Sequence, residues 1–325
     1  MLKEKNALSN DWHPVIMSAD LAERPVSAVV FGEKIVVFRT SGGVHAFKDL
    51  CIHRGVPLSL GKVENDELVC PYHGWRYDGC GACVRIPALP PEQKIPAKAK
   101  AIAYSCVESR GIVWVCLGTP SGAHPLVGTE PEPGFKDLPI GPYDLQAAAP
   151  RSVENFLDVS HLMFVHEGLL GDSQFPEIND YHVHEIDGVL RSDEIVVYQP
   201  DPDGRGKGVN SIYVYEVFGP FCVAFTKRSD DSDEVMRLYM IVLPESEKSS
   251  RAFMLQQRNY SFDVDDEVFI RFQDTLLEQD RVMLENQKPE LLPLDLQAEL
   301  HLKSDRMSIA YRKKLKEWGV TFGTE

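Results

Sequence analysis

Two cysteine–histidine pairs lie early in the chain, each in a short segment that does not read as a buried strand. Cys51 and His53 occur in "DLCIHRGVPLSLG", and Cys70 and His73 occur in "LVCPYHGWRYDG". Thiolate and imidazole are the ligands that hold zinc or iron–sulfur clusters in proteins. The flanking glycines and prolines favour loops. The two segments therefore predict one metal centre built from four side chains.

The order of the ligand types distinguishes two kinds of centre. Structural zinc sites usually have arms of the form C-x(2–4)-C and H-x(3–5)-H, so each arm carries one ligand type. Here each arm carries one cysteine and one histidine, as C-x-H and C-x-x-H. This alternation suits a [2Fe–2S] cluster in which two cysteines bind one iron and two histidines bind the other. We favour the cluster, with tetrahedral zinc as the alternative.

A second group of ligand-type side chains lies in "SVENFLDVSHLMFVHEGLLGD" at 152–172. On an ideal helix His161 and His166 would point about 140° apart. One metal ion can bind both only if the helix ends or bulges between them, and Gly168 fits a helix that is ending. Asp158 precedes His161 by three residues, which would place both on one helical face. From spacing alone, the alternative is an ordinary polar helix face.

A helix is expected over 263–288, and its start is marked by the acidic stretch at 263–267. Asp280 shares a helical stripe with five apolar residues: Phe269, Leu276, Leu277, Met283 and Leu284. Asp274 and Glu285 instead have charged neighbours on the helix surface. An acid in an apolar stripe is unfavourable unless it is paired or bound to metal. If a metal site in this chain takes a carboxylate from this helix, we therefore predict that Asp280 supplies it.

The elements that position these residues fall into two groups. Short strands are expected over 26–48 and at 111–118, before a proline- and glycine-rich stretch at 118–150. Beyond it, strand-like segments recur at 181–186, 194–199, 211–218, 221–228, 237–243 and 251–259. Helical patterns occur at about 152–166, 263–288 and 304–318. We predict an N-terminal all-β domain over 1–120 and a C-terminal α+β domain, an antiparallel sheet with helices, over 121–325.

Composition excludes several classes of protein. Of 325 residues, 43% are hydrophobic and 26% charged, as in globular proteins, and the net charge is −15. The acidity lies in residues 121–325, which hold 20 Lys/Arg against 37 Asp/Glu. Without a basic face, a nucleic-acid partner is not expected. Without an apolar run of about 20 residues or an apolar N-terminal segment, we expect a cytoplasmic protein that does not bind membranes.

Both groups of ligand-type residues resemble motifs of one known family. The sequences C-x-H-R-G and C-P-Y-H-G-W resemble the Rieske [2Fe–2S] domain. The pattern N-x-x-D-x-x-H-x-x-x-x-H, here Asn155, Asp158, His161 and His166, resembles the catalytic motif of the Rieske non-haem iron oxygenases. The segment "EQDRVMLE" at 278–285 resembles the one that supplies the family's aspartate ligand, here Asp280. The resemblance is greatest to the α-only monooxygenases, which include O- and N-demethylases.

The resemblance implies a Rieske β-domain followed by a helix-grip catalytic α+β domain with mononuclear Fe(II). It implies hydroxylation, or oxidative O- or N-demethylation, of a small aromatic or heterocyclic molecule with O₂ and two electrons. It also implies that Asn155 lines the iron pocket and that Asp158 links the iron to the cluster of a neighbouring subunit in a homotrimer. The alternatives are a ring cis-dihydroxylating dioxygenase and a Rieske electron carrier whose second domain only binds a ligand.

The source of the two electrons is expected to be another protein. The sequence has neither the G-x-G-x-x-G dinucleotide motif nor the plant-type C-x4-C-x2-C, so a separate NAD(P)H-dependent reductase or ferredoxin is expected to supply them.

The residues of the cluster loops bear on the reduction potential. High-potential Rieske proteins carry extra cysteines and a sulfur-bonding serine in the cluster loops, where this chain has Val56, Tyr72 and Trp75. Fewer hydrogen bonds to sulfur stabilise the reduced cluster less, which predicts a low-potential cluster.

Overall fold

The computed structural model describes residues 7–120, 122–202, 207–230 and 232–325. The chain divides into two compact units, Met1–Thr129 and Glu130–Glu325. The division into domains at residue 120 stays a prediction. Residues 1–6, part of the N-terminal stretch considered above, lie outside the described residues.

In its described part, the first unit consists of short strands in two antiparallel sheets. In chain order these are β1 (His13–Met17), β2 (Val26–Val30), β3 (Glu33–Thr40), β4 (Gly43–Lys48), β5 (Lys62–Glu64), β6 (Glu67–Val69), β7 (Arg76–Tyr77), β8 (Cys83–Arg85), β9 (Ala103–Ser109) and β10 (Ile112–Cys116). One sheet has the order β1–β10–β9–β4–β3–β2 and the other β5–β6–β7–β8. The prediction of an all-β N-terminal domain is confirmed.

The cluster-ligand candidates lie at the ends of these strands. Cys51 and His53 follow β4, and Cys70 and His73 lie in the loop between β6 and β7. Both cysteines belong to a buried cluster that also contains Phe38, Phe47, Leu58, Leu68 and Tyr77. The core of the unit therefore supports both ligand loops directly.

The second unit combines an antiparallel sheet with helices, as predicted. Its strands are β11 (Lys136–Leu145), β12 (Val183–Ile186), β13 (Val189–Ser192), β14 (Ile195–Gln199), β15 (Val209–Gly219), β16 (Cys222–Ser229), β17 (Val235–Ser246) and β18 (Ser249–Arg258). Its described helices are α1 (Ala149–Leu157), α2 (Leu162–Val165), α3 (Asp266–Leu284) and α4 (Arg306–Glu317). The sheet order is β11–β18–β17–β16–β15–β13–β12, and β14 also pairs with β15. None of the described helices is both long and apolar enough to cross a bilayer.

Two elements differ from the sequence prediction. Strand β11 lies within the proline- and glycine-rich stretch that was predicted to be a boundary. It is an edge strand on β18, and its register shifts between Ile140 and Tyr143. Edges and bulges are where a strand tolerates proline. The helix predicted over 152–166 is broken, because Asp158 takes an extended conformation (φ −83°, ψ 113°) at the end of α1.

A buried ion network fixes α1, the helix that leads into the second group of ligand candidates. The side chains of Arg151 and Glu154 on α1 are only 3% and 11% exposed. Arg312 on α4 donates to Glu154 Oε1 at 2.5 Å and Oε2 at 2.8 Å. Glu299 accepts from both Arg151 and Arg312. Charges with so little exposure require partners, so the network holds α1 against the C-terminal helix.

Candidate metal centres and active-site pocket

The two cysteine–histidine loops have the same backbone construction. Gly55 N donates to Cys51 O at 2.8 Å, and Gly74 N donates to Cys70 O at 3.0 Å. Both glycines have positive φ, 72° and 68°, a region in which residues with a Cβ are strained. The amide of each cysteine donates to the carbonyl of the residue that follows the glycine, at 2.8 and 2.9 Å. Each loop is therefore a closed turn that fixes its cysteine.

These turns bring the four ligand candidates together. Cys51 and Cys70 are each 2% exposed, and the rings of His53 and His73 have their centroids 4.5 Å apart. Trp75 stacks on His53 at 4.6 Å with an interplanar angle of 7°. His53 Nδ1 is buried and has no hydrogen-bond partner among the described residues. An iron ion at this atom would satisfy it, so the residues fit a histidine-ligated cluster.

The spacing of the ligand side chains favours a cluster over a single zinc ion. Burial, with the Cys51 thiol beside it, raises the pKa of Cys70, so a pair of thiolates here requires cations, which either centre would supply. Among the described residues, one group of three or more ligand-type side chains has its ligand atoms all within 4.8 Å of one another. That group lies in the second unit. Ligand atoms around one tetrahedral zinc lie about 3.5 Å apart. The four residues of the first site are too widely spaced for that geometry.

The first site also contains a hydrogen bond to sulfur that the sequence analysis did not anticipate. The hydroxyl of Tyr77 lies 3.2 Å from Cys51 Sγ, and Tyr77 is fully buried. A thiolate at Cys51 can only accept, so the tyrosine donates once a metal is bound. The low-potential prediction considered donors in the two loops, whereas Tyr77 belongs to β7.

Three side chains converge at the second site. His161 Nε2 lies 3.3 Å from His166 Nε2. Asp280 Oδ1 lies 3.4 Å from His161 Nε2 and 3.2 Å from His166 Nε2. The three side chains are 14% or less exposed. Two imidazole nitrogens and one carboxylate oxygen that face a common point form the donor set of a 2-His-1-carboxylate Fe(II) site, so the residues fit this metal.

The shortness of α2 is what lets the two histidines face each other. His161 directly precedes this helix, and His166 directly follows it with the non-helical angles φ −109° and ψ 32°. The chain then returns closely over α2, because a Cβ at Gly171 would lie 2.5 Å from Met163 Cα. Only glycine allows this approach. A helix end or bulge was expected between the two histidines, whereas the helix ends at His166 itself and the unpredicted break lies before His161.

The second nitrogens of the two histidines have different surroundings. His166 Nδ1 lies 2.7 Å from Gln279 Oε1. His161 Nδ1 is buried without a hydrogen-bond partner among the described residues, with Asp158 Oδ2 3.8 Å away. Burial lowers the pKa of His161 in the metal-free protein. Burial also acts to lower the pKa of His166, but Asp280 and Gln279 outweigh it and raise that pKa.

Asn155 and Asp158 lie beside the three converging side chains. Asn155 Nδ2 donates to Asp280 Oδ1 at 3.4 Å. Asp158 Oδ1 accepts from Ser160 N at 2.7 Å, and the side chain is 36% exposed. The helical-face argument for Asp158 was wrong, because this residue is not helical. Its proximity to His161 comes from the turn between α1 and α2.

The rejected acids have other partners. Asp274 accepts from the hydroxyl of Tyr143 at 2.6 Å, and Glu285 accepts from Gln146 N at 3.0 Å. Four members of the apolar stripe predicted around Asp280 are buried, and the fifth, Met283, is 47% exposed. The face of α3 that was predicted to be apolar and buried is therefore buried, except at Met283 on its edge.

An apolar pocket opens at the three converging side chains. Aromatic residues form much of its wall, among them Phe156, Tyr213, Tyr215, Phe225 and Phe272. Phe156 and Phe225 stack with centroids 5.2 Å apart. Sequence reasoning did not find these residues, because they come from α1, two strands and α3. The one available signal was the Tyr-x-Tyr alternation of β15, which places two tyrosines on one face.

The chain is similar to known proteins over nearly its whole length. Residues 11–102 match the Rieske [2Fe–2S] domain, and residues 145–321 match the vanillate O-demethylase oxygenase C-terminal domain. Methylxanthine N1-demethylase NdmA of Pseudomonas putida is 30% identical over 97% of this chain and 90% of its own length. Methylxanthine N3-demethylase NdmB of the same organism is 31% identical over 99% of this chain and 92% of its own length. The structure of Pseudomonas putida CBB5 NdmA with caffeine has a TM-score of 0.83 at 30% identity, and the match covers 96% of this chain and 91% of that one.

The two matched regions contain the two groups of ligand residues. The protein is therefore an enzyme that uses a [2Fe–2S] cluster, a mononuclear Fe(II) and O₂ as co-substrate. Proteins of this kind receive their electrons from a separate reductase or ferredoxin. The chain belongs to the Rieske non-haem iron oxygenases, and its relatives within that family include N-demethylases.

Proposed function

We propose that the protein is the terminal oxygenase of a system that demethylates or hydroxylates a small planar heterocycle. The observation that carries this proposal is the convergence of His161, His166 and Asp280 at an apolar, aromatic-lined pocket. Fe(II) held there has open coordination positions at which O₂ is activated. The aromatic wall offers flat faces to a ring substrate and excludes water from it.

One polar side chain of the pocket wall supports a substrate with a hydrogen-bonding group. Gln273 on α3 is 5% exposed, lines the pocket, and its side chain makes no hydrogen bond to any described residue. An amide offers both a donor and an acceptor. A ring carbonyl or ring nitrogen on the substrate would pair with it. Methylxanthines, on which the relatives NdmA and NdmB act by name, are heterocycles of this kind.

We assign the remaining predicted residues as follows. Cys51 and Cys70 hold one iron of the cluster, and His53 and His73 hold the other. Asn155 donates to the metal-facing oxygen of Asp280 and so keeps that carboxylate turned toward the histidines. Asp158 is partly exposed beside His161, which supports a role in which it accepts a hydrogen bond from a cluster histidine of a neighbouring copy. That role implies a homotrimer, and we retain a cytoplasmic location as a prediction.

The proposal is tested first by the metals. Purified protein should be brown, contain about three irons and two sulfides per chain, and give a Rieske-type EPR signal with a low average g value after reduction. Stoichiometric zinc without sulfide would contradict the assignment of the first site. Gel filtration with light scattering gives the oligomeric state, and a fully active monomer would contradict the cross-subunit role of Asp158.

Activity is tested with a surrogate reductase and a panel of N-methylated and O-methylated heterocycles. Demethylation should consume one O₂ and two electrons and release one formaldehyde for each methyl group removed. Hydroxylation would show the same O₂ consumption without formaldehyde, and a cis-diol would identify the dioxygenase alternative. Reduction of the cluster without substrate-coupled O₂ uptake for any compound would instead indicate an electron carrier.

A further inference from the structure

We infer that Gln279 is a positioning residue that selects the tautomer of His166 able to bind iron. The inference rests on the iron site proposed above and goes beyond it, because Gln279 is not a ligand. Its amide oxygen lies 2.7 Å from His166 Nδ1. His166 is 2% exposed, so bulk water does not offer an alternative partner for that nitrogen.

Two consecutive residues of α3 lie against the two nitrogens of the His166 imidazole. Gln279 contacts Nδ1, and Asp280 Oδ1 lies 3.2 Å from Nε2. Neighbouring residues on a helix point about 100° apart, so the two side chains reach the ring from different directions. In the neutral ring the Gln279 contact restrains the rotation of the imidazole, and Asp280 shares the metal position with Nε2.

The chemistry of the amide decides which nitrogen carries the proton. A neutral imidazole has one N–H donor and one acceptor nitrogen, and an amide oxygen can only accept. Contact with Gln279 Oε1 therefore requires the proton on Nδ1 and leaves the lone pair of Nε2 directed at the metal position. If the amide were turned over, its NH₂ would donate to Nδ1. The proton would then lie on Nε2 and block the metal.

A neutral amide does this without changing the charge of the site. Two neutral histidines and one carboxylate leave a bound Fe(II) with a net charge of +1. A glutamate at position 279 would impose the same tautomer on His166, since a carboxylate also only accepts. It would in addition place a negative charge next to the ligand. Substitutions at this position can therefore separate the hydrogen-bond role from the charge.

The experiment measures metal affinity in protein whose cluster is intact and whose mononuclear site has been emptied. Co(II) is titrated against a competing chelator, and its visible absorption bands report the ligand geometry. We expect Gln279→Met, which keeps the length of the side chain but removes the acceptor, to bind Co(II) about 10–100-fold more weakly. Gln279→Glu should restore the affinity to within a few-fold of wild type. Gln287→Met, at an exposed position after α3, is the matched control and should change nothing.

Each outcome bears on the inference. Wild-type affinity and an unchanged Co(II) spectrum in Gln279→Met would overturn it. An equal loss in the methionine and glutamate variants would also overturn it, because the carboxylate retains the acceptor. If Gln279→Met does not fold, Gln279→Asn, whose amide is withdrawn by one methylene, carries the same expected loss. Asp280→Ala tests the proposed iron site independently of Gln279. If Asp280→Ala binds Co(II) with wild-type affinity, the assignment of the iron site is wrong.

Discussion

The two sets of proposed metal ligands are assembled from the chain in different ways. Cys51, His53, Cys70 and His73 lie within residues 51–73, in two turns of the same construction. The second set joins a break between two helices to Asp280, more than one hundred residues later on α3. The first site depends on local turns and the core beneath them. The second exists only while α3 and the α1–α2 region are packed together, so substitutions far from it in sequence can disrupt it.

The largest effect is expected from removal of the carboxylate that completes the second site. Asp280→Ala should reduce the iron content from about three to about two per chain and leave the visible spectrum of the cluster intact. Product formation should fall at least about 1000-fold, because two histidines alone hold Fe(II) weakly. Metal analysis and turnover with a surrogate reductase measure both effects.

Asp274→Ala is the matched control for this prediction. It removes a carboxylate from the same helix but breaks only the bond to Tyr143. It should therefore retain the third iron. If Asp274→Ala loses that iron and Asp280→Ala keeps it, Asp280 is not the carboxylate ligand of the second site.

A smaller effect is expected on the acid stability of the first unit. His13 is buried beside the carbonyl of Leu8, and burial lowers its pKa to about 4. The unfolded chain, with a histidine pKa near 6.5, therefore binds the proton first as the pH falls. The contribution of His13 to the free energy of unfolding is fully present above about pH 6.5. This contribution falls by about 3 kcal/mol as the pH decreases towards 4. Denaturant unfolding followed through the visible absorption of the cluster measures the loss.

The variant His13→Gln isolates this contribution. Burial raises the pKa of the nearby Asp11 to about 6 and lowers that of His124 to about 3, so several groups titrate in the same range. Subtracting the pH profile of unfolding free energy of His13→Gln from that of wild type cancels the contributions of groups that titrate alike in both proteins. Parallel pH profiles for the two proteins would show that His13 is not responsible.

Electron transfer between the two kinds of site should depend on Asp158. Asp158→Asn keeps the shape of the side chain and removes the charge that strengthens hydrogen bonds from imidazole N–H groups. We expect both metals and the oligomer to be retained and cluster reoxidation to slow by about 10–100-fold. Single turnover of chemically reduced protein with substrate and O₂ measures the rate. Asp172→Asn is the control, because that carboxylate follows α2 in the chain and accepts from Gln174 N instead. A wild-type rate in Asp158→Asn would refute the coupling role.

The smallest effect is expected at the cluster. Tyr77→Phe removes the hydroxyl that contacts Cys51 Sγ and should lower the reduction potential on the order of 50 mV, corresponding to about 1 kcal/mol for one electron. Tyr104→Phe, which removes a hydroxyl that contacts Glu33 instead, should leave the potential unchanged. An unchanged potential in Tyr77→Phe would restore the view that only the two loops matter.

Much of the molecule could be predicted from sequence where the signal is local. The strands β2–β4, β10, β12 and β14–β18 and the apolar face of α3 follow from spacing and periodicity within short windows, whereas β1, β5–β9, β11 and β13 were not predicted. The family, fold and cofactors expected from the motifs are confirmed. The break at Asp158 was not predicted, since nothing in "NFLDVSHL" excludes a continuous helix.

The parts that could not be predicted depend on tertiary packing. Strand β11 contains Pro139 and Pro142, and only its place at the sheet edge makes them acceptable. The pocket wall combines side chains from elements far apart in sequence. Gln279 is separated from His166 by more than one hundred residues, so its contact becomes visible only when α3 is placed beside α2.

The ion network beneath α1 has a consequence for the order in which the metals are loaded during synthesis. Arg151 and Glu154 are buried charges whose partners, Glu299 and Arg312, are translated about 150 residues later. Until those residues leave the ribosome, Arg151 and Glu154 can pair only with each other, and α1 lacks the contacts that hold it beside the C-terminal helix. The cluster loops, in contrast, are complete in the first quarter of the chain. We therefore expect the nascent chain to accept the cluster early and the mononuclear iron only after translation ends.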